Sequence, residues 1–150
     1  MNLKLEDWTS LASLGLSAMF VALLLSFYNF LIGPQGEGPE RVVDPGSLIL
    51  QTIFIAAAPS VVLAGFVFGM ARTYGNRIGG TVLIAAGVVM IAGMVTSLPL
   101  LARIQDQYVV GVVGFVPYFF IAAGAGVSTV GGYLLAASKR RRFSNLDDLR

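Results

Sequence analysis

The sequence predicts an all-α integral membrane protein, a bundle of four transmembrane helices with short loops and both ends on the same side of the bilayer. Composition is the first reason. Of 150 residues, 56% are hydrophobic and only 12% charged, against about 25% charged in soluble domains. The second is where the charges fall, because they leave four uncharged stretches, 8–36, 45–71, 78–102 and 107–138, of 29, 27, 25 and 32 residues. Each exceeds the roughly 20 residues that a helix needs to cross about 30 Å of hydrocarbon. The third is charge asymmetry. Lys4, Arg72, Arg77, Lys139, Arg140, Arg141, Arg142 and Arg150 would share one side and only Arg41 and Arg103 the other, a split of eight to two among ten basic residues. Lys and Arg resist translocation, so the expected location is the cytoplasmic membrane, multi-pass, with both termini in the cytoplasm.

The first span is expected over about 8–32, with Asp7 as its N-cap. It follows Lys4, as a secretory signal core would, but is too long for one and ends in Leu31-Ile32-Gly33-Pro34-Gln35, without a small-x-small cleavage pattern, so it reads as a retained helix. Residues 33–46 contain Pro34, Pro39, Pro45 and four glycines and form an outer loop. Asp44-Pro45-Gly46-Ser47 is a turn followed by a helix start, and the second span covers about 47–71. Gly75 and Asn76 supply left-handed backbone for a tight inner turn before the third span, about 78–102. The fourth covers about 108–138, followed by a basic cytoplasmic tail, 139–150. Pro59 and Pro117 are expected to kink the second and fourth spans by freeing the carbonyls of Ile55 and Val113, and Pro99 frees that of Val95. Trp8, Tyr74 and Tyr133 fall near the inner ends, Tyr28 and Tyr108 near the outer ends, as interfacial aromatics do. Continuous apolarity, without alternation, argues against barrel strands. No internal repeat relates the halves.

Missing residue types bound the chemistry. There is no His and no Cys, so the usual ligands for haem, iron–sulfur, copper and structural zinc are lacking, as are a thiol nucleophile and a serine–histidine pair. All eight carboxylates fall outside the proposed spans, whereas proton-coupled carriers usually keep an ionisable group at membrane depth. Glu37, Glu40 and Asp44 match no calcium-loop spacing. Gly75-Asn76-Arg77-Ile78-Gly79-Gly80 lacks the lysine of a phosphate loop. No resident cofactor, metal or catalytic residue is expected.

Three positive signals remain. Gly124, Ser128, Gly132 and Ala136 recur every four residues on the last span, and Gly65 and Gly69 repeat that spacing on the second, so both offer close-approach faces for helices. Asn29, Gln51 and Tyr118 are polar groups in the outer half of the bilayer, a candidate polar site or a set of interhelical hydrogen bonds. Lys139, Arg140, Arg141 and Arg142 directly follow a span and suit anionic lipid headgroups rather than nucleic acid. The expected partners are other integral membrane subunits and membrane lipids. The expected role is that of a non-catalytic accessory subunit of a multi-subunit membrane complex, of a respiratory or monooxygenase-type redox class. The alternative is a homo-oligomeric channel or facilitator for a small neutral solute.

Overall fold

The computed structural model describes residues 4–39, 41, 43–73 and 75–147, with side chains described as far as Lys139 except at position 35. Four helices dominate: α1 (Leu5–Ile32), α2 (Pro45–Ala71), α3 (Arg77–Leu101) and α4 (Gly111–Asp147), all antiparallel to their chain neighbours. Each is long and apolar enough to cross a membrane, α4 over Gly111–Lys139, and among the described residues there is no strand. The four apolar helices mark a multi-pass membrane protein. The start of α1, the last turns of α4 and the α2–α3 turn share the terminal end; the two remaining connections form the loop end.

Local chemistry fixes where the helices begin. α1 starts before the expected N-cap, so that Asp7 sits in the first turn and its Oδ2 accepts the Lys4 backbone N–H at 2.9 Å. Asp44 caps α2 through Oδ1, which accepts the Gly46 N–H at 3.1 Å, and Pro45 occupies the first helical position, where its missing N–H costs nothing. Asn76 caps α3 by accepting the Gly79 N–H at 2.8 Å. Of the two residues expected to turn the chain there, only Gly75 is left-handed, at φ +70°; Asn76 is extended, as an N-cap must be. Gly75 is also pressed onto α4: a Cβ would meet backbone atoms of Ser138 and Leu134.

The prolines act differently from one another. Ahead of Pro59 the second helix widens into a π-helical segment, Ile53–Ala57, where the Ala58 N–H reaches back to the Ile53 carbonyl. A proline cannot donate to the fourth preceding carbonyl, and a π turn is one way to absorb that lost bond. α4 instead runs through Pro117 as one continuous helix. α3 is the most enclosed element, packing against both α1 and α4, while α2 leans chiefly on α1.

The core has two parts of unlike grain. Toward the loop end it is bulky, with Phe20, Leu24, Tyr28, Leu31, Met90, Met94, Val113 and Phe120 all buried and the Phe20 and Phe120 ring centroids 4.6 Å apart. Toward the terminal end it is built from Ala64, Val67, Ala71, Leu83, Ala86, Val127 and Leu134. Smaller side chains there let the backbones approach, and glycine makes the closest contacts. A Cβ on Gly80 would lie 2.8 Å from the Gly131 carbonyl oxygen, and one on Gly124 would lie 2.9 Å from that of Gly87. Gly80 and Gly87 are seven residues apart on α3, and so are Gly124 and Gly131 on α4, so the antiparallel helices mesh glycine on glycine at two successive levels.

Candidate functional site

Polar side chains in an apolar bundle mark where chemistry or assembly can occur, and here most are either satisfied inside the protein or face outward; the Ser128 hydroxyl, buried without a hydrogen-bond partner among the described residues, is the exception. The first inward group joins α1 to α2. Ser13 Oγ donates to the Ser60 carbonyl at 2.9 Å, Ser60 Oγ donates to the Ser13 carbonyl at 2.8 Å, and the Ser17 and Ser60 hydroxyls lie 2.7 Å apart. All three serines are fully buried. Ser13 and Ser17 lie on the α1 face that continues through Phe20, Leu24, Tyr28 and Leu31, a spacing of three and four residues visible in the sequence but not singled out there.

The second inward contact explains how α4 stays continuous. Tyr28 Oη donates to the Val113 carbonyl at 2.7 Å, the very acceptor that Pro117, lacking an N–H, cannot fill. Tyr28 is therefore a buried internal strut, not the interfacial aromatic that its position suggested. Trp8 and Tyr133, by contrast, are 58% and 54% exposed toward the terminal end, and Tyr108 lies half-buried over Gly38. Tyr74 lies outside the described residues.

The third group clasps the terminal end. Asn76 Nδ2 donates to Glu6 Oε2 at 3.0 Å and to Asp7 Oδ1 at 2.8 Å, while its Oδ1 caps α3. One amide thus ties the start of α1 to the α2–α3 turn. Glu6 and Asp7, expected outside the first span, lie in the first turn of α1 and are only 9% and 6% exposed. Their burial rests on these hydrogen bonds, since buried carboxylates need charge-assisted donors. Among the described residues, no three His, Cys, Asp or Glu side chains gather as metal ligands would.

The outward group contains the residues singled out in the sequence. Asn29, Gln51 and Tyr118 are all exposed and do not converge. Asn29 lines a loop-end groove with Leu100 and Arg103. Gln51 lines a separate groove between α1 and α2, of about 420 Å³, with Ser26, Phe27 and Phe30. Tyr118 stands apart on α4, 60% exposed.

The small residues divide as well. Gly124 is buried against α3, Ser128 abuts Gly87, Gly132 has no neighbour within 4 Å and Ala136 is exposed. The face of α4 that meets α3 therefore follows the seven-residue step from Gly124 to Gly131 and leaves the four-residue stripe behind after Ser128. Gly65 and Gly69 both face outward, with nothing within 4 Å of an added Cβ. Lys139 is exposed at the terminal end, and the side chains of Arg140, Arg141 and Arg142 lie outside the described residues. Comparison with family models, with curated proteins and with solved structures gives no match to this chain.

Proposed function

We propose that the chain is a non-catalytic accessory subunit of a larger integral membrane complex, seated in the cytoplasmic membrane with both termini inside and packed against helices of other subunits. The observation that carries this reading is the outward face of α2. Gly65 and Gly69 form a four-residue small-residue step that no described residue of this chain fills, flanked by Val62 and Phe66, which are 66% and 60% exposed. In hydrocarbon the hydrophobic effect gives no drive for helix association, and such a notch is where a neighbouring backbone comes close enough for dispersion contact. The missing His and Cys place redox chemistry, in any such complex, on other chains. Basic residues at the terminal end, Lys139 among them, support the orientation and a contact with anionic headgroups.

The test is extraction in mild detergent and native mass analysis, comparing the wild type with Gly65→Leu/Gly69→Leu. The expected result is a defined hetero-oligomer that the double variant dissociates, leaving a folded monomer. A wild-type chain that is monomeric under all mild conditions would remove the proposal. The channel reading calls for a pore between copies, because the space between the four helices is filled by Phe20, Leu24, Met90, Met94 and Phe120; a homo-oligomer in the same experiment would favour it.

A further inference from the structure

The groove between α1 and α2 carries a second inference, independent of whether the chain has protein partners. Gln51 and Ser26 are exposed on its walls, and neither has a hydrogen-bond partner among the described residues. Their depths match. α2 is 27 residues and α1 28 residues long, so at about 1.5 Å per residue Gln51 and Ser26 each lie roughly 10–11 Å from their helix midpoints. A hydrocarbon core about 30 Å thick then places both a few ångströms below its loop-end boundary. A primary amide left unpaired at that depth is costly, so the groove is built for something that brings an acceptor.

The residues above and below define what that is. Toward the bilayer middle the groove continues along Leu23 and Ile55, both apolar, and Ile55 belongs to the π-helical segment. Toward the loop end stands Phe30, which also walls a smaller cavity formed with Pro34, Pro39 and Arg41, with no carboxylate among the described residues that line it. From loop to bilayer middle the order is thus a cation, an aromatic wall, an amide with a hydroxyl, and then an apolar trough. A glycerophospholipid presents phosphate, glycerol oxygens and an apolar chain in that same order. We infer that this groove holds one phospholipid, with Arg41 at the phosphate, the Gln51 amide and Ser26 hydroxyl at the glycerol-linked ester or ether oxygens, and one chain along Leu23 and Ile55. The groove, about 420 Å³, has room for the glycerol region and part of one chain and leaves the rest of the lipid in the bilayer. A membrane quinone would satisfy Gln51 but brings no anionic group to Arg41.

The experiment is native mass analysis of the purified full chain, titrated in turn with dioleoyl phosphatidylglycerol, with dioleoylglycerol and with a short-chain ubiquinone. One phosphatidylglycerol is expected to bind, with dioleoylglycerol weaker by about tenfold for want of the charge-assisted contact. Arg41→Gln should bring phosphatidylglycerol down to the dioleoylglycerol level, and Gln51→Leu should weaken both lipids by about tenfold. Both positions are exposed, so lipid-free thermal unfolding should be unchanged. Should one variant unfold, Phe30→Ala tests the same wall and should also weaken binding. Phosphatidylglycerol uptake that ignores these substitutions, equal binding of the two lipids, or preference for the quinone would each overturn the inference.

Discussion

An added methyl on Gly131 would sit 2.6 Å from the Gly80 carbonyl oxygen and 2.8 Å from the Ile84 nitrogen, while its neighbour Gly132 has nothing within 4 Å. Backbone atoms cannot give way as a flexible side chain can, so Gly131→Ala must push α3 and α4 apart. The cost expected of such overpacking is about 1–3 kcal/mol. Gly132→Ala meets no atom and removes a flexible residue from a helix, so it should be neutral or stabilise by up to about 1 kcal/mol. Thermal unfolding of the two variants in one detergent checks the pair, and equal effects would contradict the packing described. Asn76 gives a second residue-level prediction. Asn76→Ala strips donors from two carboxylates that are 9% and 6% exposed and uncaps α3, with an expected loss of about 1–3 kcal/mol. Asn76→Asp restores the cap but sets a third carboxylate against the other two, so it should do worse than Asn76→Ser, which caps without charge. Reversed order in urea or thermal unfolding would show that the clasp contributes little.

At the level of the helices, the prolines show how far sequence reasoning reaches. That Pro117 frees the Val113 carbonyl follows from covalent structure alone; that Tyr28, 85 residues away in sequence, fills it does not. Helices that meet lipid on one side and protein on the other are apolar all round, so hydrophobic periodicity no longer tells which face turns inward. Small and polar residues are the remaining guide, and they are ambiguous. The four-residue spacing from Gly124 to Ala136 and the seven-residue spacing from Gly124 to Gly131 are both present in the sequence, and only the facing pair Gly80 and Gly87 selects the second. Ser13, Ser17 and Ser60 escaped notice for the same reason, since a serine in a span can as well bond to its own helix. The Tyr28–Val113 contact can be tested by a double-mutant cycle. Tyr28→Phe alone leaves a buried carbonyl without a donor and should cost about 1–2 kcal/mol. In a Pro117→Ala background residue 117 regains its N–H, the carbonyl is satisfied within α4, and Tyr28→Phe should cost markedly less. Additive losses would mean that the hydroxyl is not bonded where the structure places it.

Taken as a whole, the molecule is asymmetric along the bundle axis: bulky packing at the loop end, glycine-mediated packing and the Asn76 clasp at the terminal end. The number and approximate limits of the helices were legible because long uncharged runs bounded by Asp44-Pro45 and Asn76 are signals of length and capping, which do not depend on tertiary partners. The direction in which this asymmetric body sits in the bilayer belongs to the same scale, because orientation is a property of summed loop charge. Eight of ten basic residues fall at the terminal end or in the tail that follows α4, which argues for a cytoplasmic terminal end. The absence of cysteine from the sequence makes this directly measurable, since each introduced thiol is the only one in the chain. Thr73 and Gln107 are exposed in turns at opposite ends, and neither carries charge, so Thr73→Cys and Gln107→Cys leave the orienting residues intact. A membrane-impermeant maleimide should label Gln107→Cys in intact cells, or in spheroplasts where a wall must be removed, and should label Thr73→Cys only after the membrane is opened. Labelling of Thr73→Cys from outside, with Gln107→Cys protected, would invert the molecule and move the phospholipid groove to the cytoplasmic leaflet.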